Sequence, residues 1–505
     1  MGEGKEFLTY SQKNSKITKR PYVLATVMLA MFMAAIEATI VATAMPAIVA
    51  ELEDFSLYSW VFSSYLLMNA VTVLLYGKLS DIFGRKPVLT VGIVIFLIGS
   101  ILCGLASSME WLIFARFVQG FGAGAVMPIA STIIGDIYTK EERAKIQGYL
   151  SSVWGISAIM GPAIGGLLVE FVSWRFVFWL NVPLGILAII GLYLFLHEEI
   201  EKSKPKIDYV GAFLLTLFVT TFMFILVEGG VRWDWLSGPI VSLALLSLLS
   251  LVIFVFYERK VDDPMMPFEL WRERSILIAN LTSLTTGIIL IGLSTFLPTF
   301  VQGVMEEKPI IAGLTLTTMS IGWPIAATIS GKAILSIGFR TTSILGGVSL
   351  ILGSIVFTIL SGSDSPLLAA FGSFLIGIGM GLTTTAFIVS IQSTVPWNTR
   401  GVATATNMFM RNVGSTVGAA LLGGILNSQL LAFYSSKGVE GEMNLDSTTM
   451  LLDDQQRNEL TVQARSLLQE GLEIALNDVY WVVFGFAVLS FLFILLLPKK
   501  QKADV

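Results

Sequence analysis

A glutamate and an arginine lie deep inside long apolar segments of this chain. Glu37 is fifteen residues past Tyr22, where one segment begins, and Arg116 is six residues past Glu110 in another. Ionisable residues inside a membrane span usually mark an ion or substrate pathway. A carboxylate there can exchange a proton for a cationic ligand, because burial and neighbouring cations both control its proton affinity. We therefore interpret Glu37 as a titratable site; the alternative is a permanently protonated structural acid.

Residue counting places Glu37 and Arg116 at similar depth. At ~1.5 Å per residue, Glu37 lies ~22 Å from the start of its span. Arg116 lies ~9 Å from the opposite edge, and therefore ~21 Å across a hydrocarbon core of ~30 Å. We therefore interpret Arg116 as the coupling partner of Glu37. The alternative is that its side chain extends to the outer headgroups.

Three further side chains are candidates for a substrate cavity. Arg411 lies about ten residues into a later apolar segment, near mid-depth at ~1.5 Å per residue. It could contact an anionic substrate group or balance Glu37, and a structural pair with polar neighbours is an equally open interpretation. Trp154 and Tyr65 could line a pocket for flat lipophilic cations. For any single aromatic residue, core packing or an interface belt is the commoner explanation.

A charged turn, GKLSDIFGRKP at 77–87, separates the second and third apolar segments. Its charged side chains can pair with helix ends and with each other. Simple anchoring of basic residues in the cytoplasm would explain the lysines and the arginine. It would explain neither the acid nor the glycines. The residues that need another explanation are Gly77, Asp81, Gly84, Arg85 and Lys86.

The fifth apolar segment is rich in glycine and proline. Small residues allow helix backbones to approach closely in a membrane, and they favour packing or bending over ligand binding. We assign this packing role to Gly155, Gly161, Pro162, Gly165 and Gly166.

Composition excludes most other classes of protein. Of 505 residues, 54% are hydrophobic and 13% are charged, and the mean hydropathy is +0.78. A water-soluble globule of this size carries more charge, whereas a polytopic helical membrane protein typically does not. The chain has no phosphate-binding GxxxxGK[ST] loop, no metal-binding motif and only one cysteine, Cys103. We therefore expect no ATP-driven pump, enzyme, cofactor, metal site or disulfide, and no nucleic-acid partner.

Hydropathy predicts fourteen membrane-spanning helices, because long apolar segments in lipid must be helical. They cover residues 22–46, 57–77, 87–107, 110–135, 143–169, 175–196, 209–228, 238–257, 275–302, 310–332, 340–361, 366–394, 401–430 and 474–497. The termini and the loops that face with them carry 24 of the 32 Lys and Arg residues. The excess of positive charge places both termini in the cytoplasm of a multi-pass protein of the cell membrane.

The chain also contains an internal repeat. An offset of 257 relates Gly120, Gly122 and Gly124 to Gly377, Gly379 and Gly381. The turn at 77–85 has a weaker echo, GKAILSIGFR at 331–340, at an offset of 254. Parallel repeats of this kind are a transporter architecture. The resulting divisions are a cytoplasmic tail (1–21), a six-helix half (22–197), an inserted helix pair with linkers (198–260), a second six-helix half (261–498) with an external loop (431–473), and a cytoplasmic tail (499–505).

The motifs carry a family resemblance over essentially the whole chain. GKLSDIFGRKP resembles the loop signature of the major facilitator superfamily, and RFVQGFGAG from Arg116 resembles its fourth-helix motif. WGISAIMGPAIGG at 154–166 is similar to the fifth-helix motif of drug antiporters. IEATIVATAMP at 36–46 and WRFVFWLNVP at 174–183 are typical of the 14-span drug:proton antiporter family. Glu37 departs from that family, which usually has an aspartate there.

The resemblance implies a fold and a function. The fold is an all-α major facilitator fold with two six-helix halves and two inserted helices. The function is multidrug efflux of lipophilic or cationic drugs, driven by a proton gradient, and the 77–87 turn is a gating latch. We expect no ATPase subunit, and a monomer as the working unit. A narrow exporter of one antibiotic class or of an endogenous metabolite is the first alternative, and a non-transporting membrane sensor is the second.

Overall fold

The computed structural model describes most of the chain. The described residues are 18–52, 58–198, 208–229, 233–261, 264, 269–437, 448, 450–452 and 454–498. The predicted terminal tails, except for residues 18–21, lie outside these residues, as do part of the 431–473 loop and the side chain of Pro162. The described residues form helices and contain no β-strand, apart from a single bridge between Gly229 and Trp233.

Seven helices precede the inserted pair. They are α1 Arg20–Leu52, α2 Tyr58–Phe83, α3 Arg85–Gly104, α4 Met109–Ile137, α5 Lys140–Phe171, α6 Arg175–Trp179 and α7 Asn181–Phe195. The inserted helices are α8 Tyr209–Glu228 and α9 Gly238–Glu258. The remaining helices are α10 Glu269–Arg272, α11 Arg274–Thr299, α12 Pro309–Thr358, α13 Pro366–Thr394, α14 Arg400–Ser436, α15 Asp454–Glu459 and α16 Val462–Leu495. A π-helical turn, Phe300–Val304, extends α11.

Local sequence explains where several helices begin. Ser108 accepts a hydrogen bond from the backbone N–H of Trp111 at the start of α4. Thr139 and Glu142 form a reciprocal capping box at the start of α5. Such caps satisfy backbone donors that have no partner within the helix. Within lipid the helix interior must satisfy the other backbone groups, which is why the apolar segments are helical.

The helix count differs from the predicted span count at one place. Within the described ranges, thirteen helices are long and apolar enough to cross a membrane. One of them, α12, has 50 residues, and its backbone leaves the helical region at Gly338 (φ 82°). At ~1.5 Å per residue, 50 residues would extend ~75 Å, more than twice a hydrocarbon core. Gly338 therefore divides α12 into two helical segments, 309–337 and 339–358, which overlap the predicted spans 310–332 and 340–361.

Two predicted boundaries were wrong. The 77–87 turn is helical except at Gly84, which has a φ of 93° and separates α2 from α3. Glycine is suited to this position because it has no Cβ to strain the backbone. The last predicted span, 474–497, is the second part of a longer helix, since α16 begins at Val462 and ends at Leu495.

The repeat reappears in how helices pack. Gly120 of α4 lies against the backbone of Tyr65 in α2, and Gly377 of α13 lies against the backbone of Met319 in α12. Gly122 contacts the backbone of α3, and Gly379 contacts the α12 segment that follows Gly338. The first part of α12 therefore takes the place of α2 and the second part the place of α3. Close glycine contacts of this kind are typical of membrane helix packing.

The two sets of helices meet along two seams. In one seam α5 packs against α12, and in the other α2 packs against α14. Gly77 of α2 lies where a Cβ would come 2.5 Å from Cβ of Ala405 and 3.1 Å from the carbonyl oxygen of Gly401. The inserted helix α8 covers the second seam through apolar contacts with α2 and α14. We call the end of the bundle that carries Gly84 and the α4–α5 link the basic end.

Candidate functional site

Glu37 of α1 and Arg116 of α4 form an ion pair inside the first set of helices. Their exposed fractions are 0% and 2%. The pairing inferred from residue counting is therefore present. Two charges removed from water are tolerated only when their remaining hydrogen-bonding atoms are also satisfied.

Neighbouring polar groups supply those hydrogen bonds. Asn181 Nδ2 of α7 donates to Glu37 Oε2 at 2.6 Å. Arg116 Nη1 also donates to Gln119 Oε1 at 2.7 Å, and its Nε donates to the carbonyl oxygen of Val61 at 3.0 Å. Gln119 Nε2 in turn donates to Ser100 Oγ at 2.8 Å. The network joins α1, α2, α3, α4 and α7 around one carboxylate.

Tyr65 belongs to this network and not to an open cavity. Its side chain is buried, and Arg116 Cζ lies 4.2 Å from the centre of its ring. An aromatic face at this distance stabilises a guanidinium by a cation–π interaction. The prediction that Tyr65 lines a substrate cavity is therefore wrong for this conformation, because its ring is covered by the ion pair that it supports.

Trp154 lies on a different face of the same half. Helix α5 is flanked by α1 and α12, and one of its two remaining faces carries the exposed apolar residues Tyr149, Ile156, Met160 and Leu167. Trp154 is 45% exposed and lies on the same side of α5 as Gly161, seven residues further along, which faces α1. Its role in a substrate cavity stays a prediction.

Arg411 holds the position in α14 that Trp154 holds in α5, because the offset between them is 257. Its side chain is half-buried, and it has neither an ion-pair nor a hydrogen-bond partner among the described residues. Its neighbours on α14 are paired, since Ser415 Oγ donates to the carbonyl oxygen of Gly287 at 3.1 Å. The predicted alternative of a structural pair for Arg411 is therefore not what the described residues show.

Asp81 connects the two halves at the basic end. Its Oδ1 accepts from the backbone N–H of Gly401 and its Oδ2 from that of Val402, each at 2.9 Å. These N–H groups belong to the first turn of α14, where the positive end of the helix dipole favours an anion. An acid on α2 thus caps a helix more than 300 residues away in the chain.

Arg85 fixes that acid and adds contacts of its own. Its Nη2 lies 2.7 Å from Asp81 Oδ1, and its Nε donates to Asp136 Oδ2 at 2.8 Å. Nη2 also donates to the carbonyl oxygen of Trp397 at 2.7 Å, and Cζ lies 3.8 Å from the centre of the Trp397 ring. Because Trp397 lies just before α14, Arg85 binds both halves at once.

Asp136 completes this arrangement. Its Oδ1 lies 2.5 Å from Arg400 Nη1, so that one carboxylate joins Arg85 and the first residue of α14. Its side chain is only 12% exposed, so that this carboxylate at the end of α4 is not a solvated helix terminus. We call Asp81, Arg85, Asp136, Arg400 and Trp397 the inter-half latch.

Lys86 has a local role beside the latch. Its Nζ donates to the carbonyl oxygens of Leu196 at 2.8 Å and Tyr193 at 3.1 Å, at the end of α7. Gly77 permits the close approach of α2 to α14 described above. Of the turn residues, Gly77, Asp81 and Arg85 therefore contact the second half, whereas Gly84 and Lys86 shape the first.

The glycines of α5 also differ in whether they contact the second half or the first. Gly155 lies where a Cβ would come 2.9 Å from the carbonyl oxygen of Ser320 in α12, and Gly161 and Gly165 lie against α1. Gly166 has no described atom within 4 Å of its Cβ position and is exposed. The packing role predicted for Gly166 is therefore not seen in this structure, although Gly166 lies on the same side of α5 as Gly155.

Gln119 and Asn181 were not identified as site residues from the sequence. Both lie in quoted motifs, RFVQGFGAG and WRFVFWLNVP, and both are amides within apolar segments. That combination was the available signal, because a buried amide needs hydrogen-bond partners. Among the described residues, no group of three or more His, Cys, Asp and Glu side chains could hold a metal ion.

Sequence comparisons agree with this architecture. The profile of the Major Facilitator Superfamily matches residues 27–419. The multidrug transporter protein MdtP of Bacillus subtilis (strain 168) is 34% identical over 417 residues, which cover 83% of this chain and 77% of the relative. Multidrug resistance protein 3 of the same organism is 30% identical over 495 residues, covering 96% and 97%. The efflux pump dotC of Dothistroma septosporum (strain NZE10 / CBS 128990) is 29% identical, covering 95% and 84%.

A solved structure supports the fold. The human organic anion transporter MFSD10 (TETRAN) superposes with a TM-score of 0.61 at 13% sequence identity, covering 93% of this chain and 99% of that structure. At this identity the likeness concerns the fold alone. The helices, the repeated packing and the matched profile together show that this chain is a multi-pass, all-α membrane protein of the major facilitator superfamily.

Proposed function

We propose that this protein exports lipophilic, often cationic, drug-like compounds in exchange for protons. The observation that carries the proposal is the buried Glu37–Arg116 ion pair with its hydrogen bonds to Asn181 and Gln119. A purely structural ion pair gives little net stability when it is buried. Such a pair within a membrane bundle is better explained by a charge that changes during function. The printed names of the relatives, multidrug transporter and efflux pump, point the same way.

Protonation of Glu37 would change the network in a defined way. A neutral carboxyl group no longer attracts Arg116 by charge, so that the guanidinium relies on Gln119, the Val61 carbonyl and the Tyr65 ring. These groups come from α2 and α4, whereas Glu37 comes from α1. Loss of the pair therefore loosens α1 from its neighbours. A proton on Glu37 and a change in helix packing are linked in this proposal.

The inter-half latch would set which side of the membrane the cavity faces. The positive-inside rule assigns the basic end and both termini to the cytoplasm. In the present conformation Asp81 and Asp136 hold α14 against the first half at that end. Opening toward the cytoplasm requires both contacts to break. Alternating access by rocking of two halves about a central site is the transport mode that this geometry supports.

Arg411 favours a second candidate range of substrates. Its half-buried guanidinium has no partner among the described residues, and Trp154 holds the equivalent position in the other half. An aromatic face and an unpaired cation across one cavity would suit a flat compound that carries an acidic group. Acidic amphipathic compounds are thus the alternative to lipophilic cations.

The test is transport in reconstituted vesicles with an imposed pH gradient and a lipophilic cationic dye. We expect Glu37→Gln to abolish gradient-driven dye movement and Glu37→Asp to retain part of it, because only the aspartate can still exchange a proton. Ser373→Ala serves as the matched control, since Ser373 is the buried residue equivalent to Arg116 in the second half. Unchanged gradient-driven transport by Glu37→Gln, at equal amounts of protein, would refute the proton-coupling role.

A further inference from the structure

The two halves contain equivalent turns that differ in how their charges are satisfied. Gly84 and Gly338 are the two described glycines with a positive φ, 93° and 82°. They are separated by 254 residues, the offset of the weaker repeat. Each precedes a membrane-spanning helix segment: α3 after Gly84 and the second part of α12 after Gly338.

The first turn is closed by acids of its own half. Glu198 accepts from the backbone N–H of Arg85 at 2.7 Å and of Lys86 at 2.9 Å, which caps the start of α3. The guanidinium of Arg85 is neutralised by Asp81 and Asp136. The positive charge of Arg85 and the positive N-terminal end of α3 are therefore both matched by carboxylates.

The second turn keeps the basic residue and lacks the acids. Arg340 is equivalent to Lys86, and the match is structural: its Nη2 donates to the carbonyl oxygen of Leu495 at 3.0 Å, just as Lys86 bonds to the end of α7. The position of Asp81 is taken by Leu335 and that of Arg85 by Phe339. Arg340 has no acidic partner among the described residues, and its buried Nε has no hydrogen bond.

A cavity of about 550 Å³ opens beside this turn. Its described lining contains no acidic residue and includes the first turn of the second part of α12, Phe339, Arg340 and Thr341. Ser275 of α11 also lines it; this side chain is 2% exposed, and its Oγ has no partner in the described structure. A buried hydroxyl, an unsatisfied guanidinium N–H and a helix N-terminus around one cavity form a site for an anion.

The rest of the lining defines the kind of anion. Apolar side chains from α12, α13 and the end of α16 form its other walls: Ile334, Ile337, Ala386, Phe387 and Leu497. A small inorganic ion would not contact these apolar walls, whereas a phospholipid carries both a phosphate group and hydrocarbon chains. Basic pockets between membrane helices are typical sites for anionic headgroups.

We propose that this cavity binds the phosphate group of an anionic phospholipid, with Arg340 and Ser275 as its hydrogen-bond donors. The lipid phosphate supplies to the second half the negative charge that Glu198, Asp81 and Asp136 supply to the first. The site is separate from the Glu37–Arg116 network, so that its occupancy can be measured without any transport assay.

The test uses the full-length protein in a neutral detergent. Native mass spectrometry and thermal unfolding are followed while phosphatidylglycerol, phosphatidylcholine or glycerol phosphate is added. We expect phosphatidylglycerol to bind and to raise the Tm, with at least tenfold weaker binding in Arg340→Gln and about threefold weaker binding in Ser275→Ala. Lys332→Gln is the matched control, because Lys332 is an exposed cation of the same segment that does not line the cavity.

Each other outcome overturns the proposal in a distinct way. Equal stabilisation by glycerol phosphate would assign the site to a free phosphate ester instead of a lipid. An equal loss of phosphatidylglycerol binding in Lys332→Gln and Arg340→Gln would show that the lipid is attracted by the overall surface charge and not by this cavity. Equal binding of phosphatidylcholine and phosphatidylglycerol would show that the headgroup charge is not recognised. If Arg340→Gln fails to fold, Ser275→Ala still decides, because unchanged phosphatidylglycerol binding in that variant would exclude the proposed hydroxyl donor.

Discussion

The two halves of this protein share a scaffold and differ in their charges. Glycines at equivalent positions of α4 and α13 make equivalent helix contacts. The position of Arg116 in the first half is Ser373 in the second, and that of Gln119 is Ile376. The buried ion pair and the acids of the inter-half latch are therefore confined to the first half. Packing constrains both halves equally, whereas each half can acquire its own chemistry.

The largest effect should come from removal of one buried charge. We expect Arg116→Ala to leave Glu37 without its counter-charge, and loss of one partner of a buried pair destabilises a protein by ~3–5 kcal/mol. Thermal unfolding in detergent measures this change, with Ser373→Ala as the control at the equivalent position. A similar Tm shift in both variants would show that the halves do not differ in this respect.

The shared scaffold is tested by glycine substitutions. Gly120→Ala and Gly377→Ala each place a Cβ against the backbone of a neighbouring helix, of Tyr65 and Met319 respectively. Overpacking of this kind destabilises by ~1–3 kcal/mol, and we expect similar losses in both halves. Gly166→Ala, at a position with no described atom within 4 Å, should change the Tm very little. A large loss in one half alone would contradict an equivalent scaffold.

The inter-half latch should respond to Asp81→Asn. The amide cannot pair with Arg85 by charge, and only its oxygen can still accept from the N–H groups of Gly401 and Val402. Loss of a buried hydrogen bond to a charged group costs ~1.5–3 kcal/mol, and the closed basic end should open more often by roughly tenfold or more.

Maleimide labelling of Ser131→Cys in a Cys103→Ser background reports that opening, since Ser131 is buried and bonded to Gln392 of α13. Leu335→Asn, at the position in the second half that corresponds to Asp81, is the control. If Ser131→Cys is labelled equally slowly with aspartate and with asparagine at position 81, the inter-half latch does not hold the basic end closed.

The smallest effects should appear in the candidate cavity. We expect Arg411→Gln to raise the KM for acidic compounds by several-fold and to leave cationic dyes almost unaffected, because an exposed or half-exposed charge pair contributes ~1 kcal/mol or less. Trp154→Leu should raise the KM for flat aromatic compounds, whether they are acidic or cationic. If Arg411→Gln and Trp154→Leu changed the KM equally for every compound, the proposed difference between the two positions would be wrong.

Much of the architecture follows from the sequence, because long apolar segments can only be helical in lipid. The pairing of Glu37 with Arg116 followed from depth along two spans. The inter-half latch did not follow from the sequence, because the capping of α14 by Asp81 and the position of Asp136 depend on the seam between the halves. Tyr65 was assigned to a cavity because sequence spacing does not show which side of an aromatic ring is covered.

The sequence by itself determined the class of protein, the repeat and the residues that carry charge into the membrane. These depend on composition and on periodic spacing, which are local properties of the chain. Only the tertiary structure decided which charges are paired and which are not. Arg116, Arg85 and Arg400 meet carboxylates from other helices, while Arg340 and Arg411 meet none among the described residues. Pairing depends on how helices distant in the chain are brought together, and no local pattern records that arrangement.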